Sequence, residues 1–492
     1  MNLLLLLIVP LITALTILLC RNSLQVKWTA FAGSVVQLVL ALVLLFVYRA
    51  EVVAGNAAQL FFEQDITLIE SLNMHFHIGV DGISISMLLL TAMVVVAGVL
   101  FSWNTNKMTK EFYFLLILLA LGAYGFFISF NLLVLFFFLE ISIIPKYLLI
   151  GIWGSGNKEY SANKLVLMLM MGSALIMVGI LGMYYIGGHD VDLMHLSNIS
   201  IPAHLQKILF PLFFIGFGVF TAFFPFHTWV PDGHSSAPTA GSMFLAGISM
   251  KLGGYGCLRV AIFLLPEGAK EYGQVIVILS SIAILYGAFV TMMQKDLKYL
   301  NAYSSVSHVG FSLLALGMLT QTAITGALMQ MISHGLMTAL FFAVIGMIYD
   351  RTHTRMVNEL GGLMKVMPFI TTVLFIVGLC SLGLPGLSGF VAEMTVFVGS
   401  WQNDDVFHRV ATIAAAMSIV VTAVYILRAV GQVAMGPLKN EAYAHLTDAK
   451  WNEKLAAIIL LAGILSIGLV PGWLNDLLTP GAEIIMNRIT GK

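Results

Sequence analysis

The sequence predicts an all-α polytopic membrane protein, with about fourteen transmembrane helices, two inverted five-helix repeats and discontinuous helices 7 and 12. Three observations lead to this fold class. Of the 492 residues, 59% are hydrophobic and only 10% are charged, a composition that soluble domains of this length do not have. Apolar runs long enough to cross a bilayer recur along the whole chain. Two of these runs are interrupted by proline and glycine.

Fourteen candidate spans cover most of the chain. Each is a mainly apolar run close to the length of roughly 20 residues that crosses a bilayer. The first run has neither the basic start nor the small-residue cleavage site of a signal peptide, so we expect a retained span. The spans are 2–20, 28–48, 82–103, 112–129, 132–152, 164–186, 207–225, 239–264, 273–293, 299–318, 322–349, 368–400, 408–430 and 454–473.

The connections between the spans indicate the orientation of the chain. Lys and Arg are concentrated in the odd-numbered connections and are sparse in the even-numbered ones. Because positive charge marks the cytoplasmic side, we expect both termini to be periplasmic in a bacterial inner membrane. Two connections are long. Residues 49–81 predict a small hairpin on the outer face, and residues 436–453 predict an amphipathic helix on the inner face.

Charge and cysteine content exclude several classes of function. The formal net charge is zero, which argues against a nucleic-acid partner. The three cysteines stand singly and form no CxxC motif, so we expect neither a disulfide framework nor an iron–sulfur site. We therefore expect no cofactor in this chain.

Two interrupted spans organise the chain. The first, IGFGVFTAFFPFHTWVPDGHSSAP at 215–238, contains three prolines, and the second is LCSLGLPGLSGFVAE at 379–393. Lipid cannot satisfy the backbone groups that such breaks release, so the breaks must face protein or a water-lined cavity. Paired breaks at matching positions of two repeats are typical of a transport path.

The breaks lie five spans apart, and an odd number of spans inverts the second repeat relative to the first. We therefore divide the chain into four parts. Helices 1–3 and an outer-face loop occupy 1–111, the two five-helix repeats occupy 112–264 and 265–430, and 431–492 holds a connecting segment, helix 14 and a short tail.

Three ionisable residues inside spans are the centre of the candidate site. Such residues are unfavourable in lipid and usually have a function. Glu140 follows eight apolar residues, Lys251 lies among small residues that allow close helix packing, and Glu393 directly follows the second break. We expect these residues to carry protons or the charge that moves them.

Two histidines extend this candidate site. His308 and His334 each follow a serine within a span, and imidazole titrates closest to physiological pH. A single membrane histidine is often only a hydrogen-bonding contact between helices. Two of them, with glutamates and a lysine at similar depth, favour a proton relay.

For other charged or titratable residues, the sequence allows both a functional and a structural interpretation. Lys146 is either functional or a lysine that extends toward the helix end. Lys298 is either the uptake end of the relay or an anchor on the positively charged inner face. Four further residues near the first break are expected to brace it: His227, Asp232, His234 and Arg259. Of these, His227 also suits the relay.

Four motifs in order resemble the antiporter-like membrane subunits of respiratory complex I, NADH:quinone oxidoreductase. They are FPFHTWVPDGHSSAPTAGSMFLAGISMKLGGYG, DLKYLNAYSSVSHVGF, ISHGLMTALFF and LPGLSGFVAE, and the resemblance covers about 80–475. Within that family, the chain length, a tail that ends after span fourteen and the glutamate at position 393 resemble the subunit M or chain 4 type.

This resemblance implies a function and a set of partners. It implies proton pumping driven by electron transfer from NADH to quinone in a separate arm. FMN, iron–sulfur clusters, NADH and quinone would belong to partner subunits, and this chain would hold no redox centre. Its partners would be the other membrane-arm subunits and the lipid bilayer. The resemblance implies a role for each candidate residue. Glu140 would be a modulating carboxylate, Lys251 the central lysine and Glu393 the terminal proton donor. His308 and His334 would connect the lysine to that donor.

One position departs from the family pattern. The family has a lysine in helix 7, in a motif like FAVK, where this chain has Phe220 in FGVF. Lys146, in turn, stands where the family commonly has an apolar residue. Our hypothesis is that the cation has moved from helix 7 to helix 5 and pairs with Glu140. Six residues span about 9 Å along a helix, so the two groups meet only through bending, side-chain reach or water.

The sequence therefore predicts a proton-translocating enzyme subunit of NADH:quinone oxidoreductase. One alternative is a subunit of a multisubunit cation/proton antiporter or of a membrane-bound hydrogenase. An alternative of another class is a non-conducting membrane scaffold. The buried charges argue against the scaffold, because a scaffold gains nothing from ionisable residues at that depth.

Overall fold

The computed structural model describes residues 2–56, 58–69 and 74–491, and this part of the chain is helical apart from one β-hairpin and the connections. Its first half contains α1 (Leu5–Leu19), α2 (Ser23–Val53), β1 (Phe61–Ile69), β2 (Met74–Val80), α3 (Gly82–Phe101), α4 (Thr109–Ile128), α5 (Leu132–Ile141), α6 (Ile143–Trp153), α7 (Lys158–Ile186), α8 (Leu193–Asn198), α9 (Ala203–Thr221), α10 (Trp229–Ser236), α11 (Thr239–Phe244) and α12 (Met250–Gly256).

The second half begins at α13 and runs to the C-terminus. It contains α13 (Pro266–Met293), α14 (Leu297–Met318), α15 (Gln321–Thr352), α16 (Pro368–Ser381), α17 (Ser388–Trp401), α18 (Val406–Ala434), α19 (Trp451–Leu469) and α20 (Gly472–Thr490). Short 3₁₀ turns cover Val357–Glu359, Leu363–Lys365 and Glu441–His445.

Polar side chains fix where the buried helices begin. Asp81 accepts from the amide of Ser84 at the start of α3, and Asp296 accepts from the amide of Lys298 at the start of α14. Asn131 caps α5 in the same way. Such caps satisfy amides that a helix leaves without an internal partner, which matters most where the helix end is buried.

Within the described residues, ten helices are long and apolar enough to cross a membrane. Among them α3 and α15 are buried along almost their whole length and form the centre of the molecule, whereas α2, α7, α13 and α18 keep one apolar face exposed. Close approach at the centre depends on small residues. At the crossing of α15 with the turn that follows α11, a Cβ on Gly335 would lie 2.8 Å from the carbonyl oxygen of Gly247.

The two predicted interruptions are present. Helix α9 ends at Thr221 and α10 begins at Trp229, with a cis peptide bond between Phe224 and Pro225. Helix α16 ends at Ser381 and α17 begins at Ser388. The predicted span 132–152 also has a joint, since α5 and α6 meet at Ser142.

The predicted hairpin on residues 49–81 is confirmed, because β1 and β2 pair antiparallel; its turn, residues 70–73, lies outside the described residues. The start of the chain and the first part of α20 lie near it. Gln64 of β1 donates to the side chain of Asn2 at 3.3 Å, and Gly82, directly after β2, lets the carbonyl of Leu477 in α20 approach closely.

Two expectations for the C-terminal part were wrong. The segment 436–453 contains no amphipathic α-helix; before α19 begins at Trp451 it forms a 3₁₀ turn at Glu441–His445 and otherwise irregular chain. Some of its polar groups bond to neighbouring helices. Asp448, for example, accepts from the amides of Phe369 and Ile370 at the start of α16. The predicted short tail is instead α20, whose buried face includes Leu474, Leu478 and Ile485. The opposite face of α20 is polar, so its sequence contains no long apolar run that would predict a span.

Candidate functional site

Lys251 lies at the centre of the molecule, on a stretch where the helix widens. Residues Leu245–Ser249 and Cys257–Ile262 form π-helical turns on either side of α12, and such turns are frequent at functional sites. The lysine is 1% exposed. Its ammonium donates to the carbonyl of Ala246 at 2.6 Å and lies 2.9 Å from Nδ1 of His334.

His334 continues this contact toward His308. The two imidazole rings stack at 5.6 Å between centroids and 28° between planes, and both side chains are buried. Nε2 of His308 lies 3.0 Å from the hydroxyl of Ser381 at the end of α16. A line of titratable groups thus connects α12, α15 and α14.

Glu393 ends this line. Its carboxylate lies 3.2 Å from Nδ1 of His308, although the angle does not suit a hydrogen bond and the nitrogen has no such partner in the described part of the chain. We therefore describe the pair as a charge contact. The break before α17 also touches the carboxylate, since a Cβ on Gly383 would lie 2.8 Å from Oε2 of Glu393.

A polar stripe on α14 leads from this line toward the N-terminal end of that helix. Lys298, Asn301, Ser305 and His308 follow one another at spacings of three or four residues, which places them on one helix face. Asn301 donates to the hydroxyl of Thr338 at 3.4 Å, and Ser305 lies 3.2 Å from the same hydroxyl. Neither Asn301 nor Thr338 was predicted from the sequence, although the helical spacing of NAYSSVSH is a signal for the stripe.

Lys298 lies at the bottom of a cavity of about 710 Å³. The lysine is 5% exposed, and its ammonium donates to the carbonyl of Ala237 at 2.7 Å and lies 3.5 Å from the hydroxyl of Ser242. We call this cavity the vestibule. Its charged lining residues are Lys298, Asp350, Arg351, Arg355, Lys450 and Glu453.

Glu140 and Lys146 form a separate pair of charges on α5 and α6. Lys146 is 1% exposed; its ammonium donates to the hydroxyl of Ser142 at 3.0 Å and lies 5.9 Å from the centroid of the Phe220 ring. The carboxylate of Glu140 accepts from the hydroxyl of Ser173. The two charges act on each other electrostatically, but these described residues form no direct ion pair.

The four residues expected to brace the first break have different contacts in the structure. His227 stacks on Phe224 at 5.4 Å and meets Tyr286 at 5.1 Å, apart from the line of titratable groups. Asp232 forms an ion pair of 2.7 Å with Lys164.

Arg259 pairs with Asp81 at the N-terminal end of α3, so its ion-pair partner lies away from the break that it was predicted to brace. His234 is completely buried beside Trp229. The partner of Arg259 lies far away in the sequence, and no local pattern identifies it.

Broken helices around a buried line of titratable side chains define a membrane protein of the ion-translocating class. The chain belongs to the NADH:quinone oxidoreductase/Mrp antiporter transmembrane family, whose model matches residues 129–418.

Curated relatives of the chain cover nearly its whole length. It is 34% identical to NADH-quinone oxidoreductase subunit M of Rickettsia bellii, over 94% of each chain. It is 37% identical to NAD(P)H-quinone oxidoreductase chain 4, chloroplastic, of Angiopteris evecta, over 88% of each chain.

Solved structures share the fold. A chain of respiratory complex I from Thermus thermophilus with bound NADH is 25% identical, with a TM-score of 0.89 over 99% of both chains. A chain of the Mrp complex from Dietzia sp. is 18% identical, with a TM-score of 0.84 over 99% of this chain and 98% of that one. At that identity the second likeness concerns the fold alone.

Proposed function

We propose that this chain is a proton-translocating membrane-arm subunit of NADH:quinone oxidoreductase, coupling electron transfer from NADH to quinone to proton pumping. The observation that carries the proposal is the contact line Lys251–His334–His308–Glu393. The names of the relatives support the assignment to this complex. Each group in the line exchanges a proton by gaining or losing charge, and each stands beside the next.

Proton movement along this line follows from electrostatics. An added positive charge on one group disfavours protonation of its neighbour, and removal of that charge favours it. A change of charge at Glu140 and Lys146 therefore alters the proton affinity of Lys251. No hydrogen bond joins the stacked rings of His334 and His308 in the described residues, so in this proposal a water bridges them.

Direction in the membrane follows from the two ends of the line. In our proposal, protons enter from the vestibule beside Lys298 and leave outward past Glu393. The excess of Lys and Arg in the odd-numbered connections supports periplasmic termini in a bacterial inner membrane. The contacts of Asn2 and Leu477 near the outer hairpin support placing both ends on the same side.

The finer architecture belongs to the same proposal. Four further segments join the ten long apolar helices: α1, the stretch from α11 through α12, α14, and α16 with α17. They support fourteen spans. Breaks in α9–α10 and α16–α17 support two inverted repeats, over 112–264 and 265–430, because paired broken helices mark the ion path in repeated transporters.

In this proposal the redox chemistry lies in partner subunits. FMN, iron–sulfur clusters, NADH and quinone bind there, and this chain contacts neighbouring membrane-arm subunits. Glu140 supports such a contact, because it is partly exposed on a face of α5 and α6 that also exposes Phe137 and Ile144. A carboxylate facing lipid at this depth is unfavourable, so a protein neighbour suits it better.

A second candidate is a subunit of an Mrp-type cation/proton antiporter, because the family description includes both complexes. The two are separated by what purifies with the chain. NADH-oxidising, flavin-containing partners support the first candidate, whereas sodium-dependent proton exchange without them supports the second.

The test replaces Lys251 or Glu140 with alanine in the assembled complex. We expect both variants to abolish proton pumping linked to NADH oxidation, because the line loses its central base or the charge that drives it. Pumping is measured as protons moved per NADH in sealed vesicles. Ser280→Ala is the matched control, since it removes a buried hydroxyl that lies outside the line. Near-normal stoichiometry in an assembled Lys251→Ala complex refutes the proposal.

A further inference from the structure

An apolar groove lies on a face of the molecule that the proposed proton route does not use. Its volume is about 430 Å³, and α2, α3, α15, α19 and the start of α20 line it. Helices α2 and α19 both pack against α3, and α19 also packs against α15. The floor of the groove is therefore formed by α3 and α15, and its walls by α2 and α19. We call it the α2–α19 groove.

The floor of this groove is aliphatic. On α3 and α15 the lining consists of Leu89, Leu90, Met93, Ile332 and Leu336, with Ser86 at one end. Gly463 on α19 keeps the wall close to the floor, because a Cβ there would lie 2.7 Å from the terminal carbon of Met93 and 2.9 Å from Leu336. Such a surface gains free energy by covering an apolar ligand.

The polar groups of the lining are mostly satisfied within the chain. The hydroxyl of Ser86 donates to the carbonyl of Ile83 at 2.7 Å, and that of Ser466 donates to the carbonyl of Gly463 at 2.9 Å. The indole nitrogen of Trp473 donates to the carbonyl of Ser466 at 3.2 Å. These three donors are therefore already used.

Arg49 supplies the charge of the lining. Its side chain is exposed, and in the part of the chain that the structure describes its guanidinium has neither an ion-pair nor a hydrogen-bond partner. Phe46, Leu42 and Leu38 precede it at spacings of three or four residues, so they share its face of α2 and line the groove beside it. A free guanidinium at the end of an apolar groove is complementary to an anion with an apolar tail.

The length of the groove matches one leaflet of a bilayer. From Leu38 to Arg49, α2 rises about 16 Å, close to half of a hydrocarbon core of about 30 Å. Trp473 lies at the same end as Arg49, since α20 begins just after α19 and passes the start of α3 at Leu477. Tryptophan and arginine together are typical of the level of the lipid headgroups.

We propose that the α2–α19 groove binds one anionic phospholipid, with its phosphate on Arg49 and an acyl chain along α3 and α15. The guanidinium donates to two phosphate oxygens, and the acyl chain covers the aliphatic floor. The lining holds no carboxylate for the amine of a zwitterionic headgroup. In the orientation of the proposed function this lipid lies in the periplasmic leaflet, and only the leaflet rests on that proposal.

Two other occupants fit the groove less well. A transmembrane helix is about 10 Å wide, so a 16 Å length of it needs about 1,200 Å³. That volume exceeds the groove, and a helix of a neighbouring subunit would lie over it rather than in it. A quinone has an apolar tail of suitable kind but no anionic group to pair with Arg49.

The test uses a phosphatidylglycerol that carries a photoactivatable diazirine near the end of one acyl chain. The complete complex is placed in phosphatidylcholine vesicles with a small fraction of this probe and irradiated, and labelled peptides are identified by mass spectrometry. We expect stronger labelling around Leu38 and Ile459 than around Val420, an exposed apolar residue of α18, because a bound lipid stays in place whereas bulk lipid exchanges. Excess unlabelled phosphatidylglycerol should remove this difference.

Two variants locate the headgroup and the acyl chain. Arg49→Gln removes the cation, and we expect labelling of the groove to fall about tenfold, the effect of losing one charge-assisted hydrogen bond. Its control is Arg409→Gln, which removes the arginine paired with Asp404 and should be labelled like the parent. Ala462→Phe fills the groove with a ring and should give a similar loss. Ala32→Phe, at an exposed alanine of α2 outside the groove, is its control.

The inference is overturned if the groove is labelled no more strongly than α18, or if Arg49→Gln is labelled like the parent. Displacement of the probe by unlabelled quinone but not by phosphatidylglycerol also overturns it, because the occupant is then a quinone. Native gels measure assembly; if Ala462→Phe assembles poorly, Arg49→Gln still decides, since its side chain is exposed. Labelling does not depend on proton pumping, so its failure leaves the proposed function in place.

Discussion

Lys146 lies beside the position at which the family resemblance implies a lysine. The family resemblance places a lysine at position 220, where the chain has phenylalanine, and the ammonium of Lys146 lies 5.9 Å from that ring. A cation over an aromatic face is stabilised by the ring quadrupole, and Ser142 supplies a hydrogen bond at 3.0 Å. The positive charge of Lys146 thus occupies the space beside position 220 without a change of fold.

We predict that Lys146→Met lowers pumping although it keeps the volume of the side chain. The reason is that Glu140 then has no cation nearby to set its charge. Adding Phe220→Lys to this variant returns a cation to the same space, and we expect part of the pumping to return. Protons moved per NADH in vesicles measure both effects.

The Phe220→Lys variant with Lys146 intact is the control for this experiment. Two ammonium groups then share one pocket, and their repulsion should lower assembly or pumping rather than raise it. Normal pumping by Lys146→Met alone contradicts the hypothesis that the charge has moved. Lys146 would then be a buried lysine held by Ser142 without a role in coupling.

At the scale of the helix, the break between α16 and α17 positions Glu393. Gly383 adopts a φ of +77°, a backbone conformation that side chains other than glycine rarely accept. Its lack of a Cβ also leaves room for Oε2 of Glu393, which would lie 2.8 Å from the added atom. The glycine therefore serves both the turn and the carboxylate.

We predict that Gly383→Ala lowers pumping by pushing the Glu393 carboxylate away from His308. Gly386→Ala is the matched control, because its φ is +93° and the nearest atom to an added Cβ is 4.0 Å away. Both variants carry backbone strain of about 1–2 kcal/mol, but only the first reaches the carboxylate. Equal pumping by the two variants at equal assembly would show that the contact with Gly383 does not position Glu393.

The sequence was informative about these elements to different degrees. Apolar runs and prolines predicted the spans and both breaks, because lipid imposes a strict length and backbone requirement. The π-helical turns around Lys251 were not predicted, since they come from packing against α9 and α15 rather than from local preference. Helix α20 was missed because its buried face alternates with polar residues.

The candidate site residues were easier to predict from the sequence than the residues that they contact. Ionisable residues in apolar runs stand out, so Glu140, Lys251 and Glu393 were found without a structure. The contact between Lys251 and His334 joins residues 83 positions apart, and no local pattern specifies such a pair. Lys146 and Glu140 form no direct ion pair, and each group bonds to a serine hydroxyl instead; the predicted pairing through water stays a prediction.

At the scale of the whole molecule, His77 joins the hairpin to connections between helices that lie far from it in the sequence. It lies on β2, with Nδ1 at 2.5 Å from Asp192 in the connection between α7 and α8, and with Nε2 at 2.7 Å from Glu63 on β1. Its backbone carbonyl accepts from the amide of Phe130, in the turn before α5, at 2.9 Å. One side chain therefore attaches the hairpin to the connection between α7 and α8.

The charge of this histidine makes the attachment depend on pH. Burial disfavours the charged ring, but the hydrogen bonds and charges of Asp192 and Glu63 outweigh it, so the pKa of His77 is raised. Burial also opposes the charge of Asp192, but its bonds to His77 and to nearby amides lower its pKa overall.

A raised histidine pKa contributes stability that is complete below the unfolded-state value, about 6.5, and is lost as pH rises through the folded-state pKa. The aspartate contribution is lost on the acid side, as pH falls through its lowered pKa.

We predict that the hairpin is held most firmly at mildly acidic pH and loosens as the solution becomes alkaline. Amide hydrogen exchange of β1 and β2 in the purified protein measures this, after correction for the intrinsic effect of pH on exchange. His77→Gln should flatten the dependence, because the amide carries no titrating charge. His408→Gln is the control: it removes the histidine paired with Asp405 at the start of α18 and should leave the hairpin's dependence intact.

The outcome shows whether charges or packing attach the hairpin to the rest of the molecule. Protection that stays constant across this pH range in the parent would mean that the backbone bond to Phe130 and apolar packing hold the hairpin without the charges. Protection that falls with pH in the parent and in His408→Gln, but not in His77→Gln, assigns the attachment to the charges of His77, Asp192 and Glu63. Because α3 begins directly after β2 and is buried in the molecular centre, looser attachment of the hairpin should then extend to higher exchange at the first turn of α3.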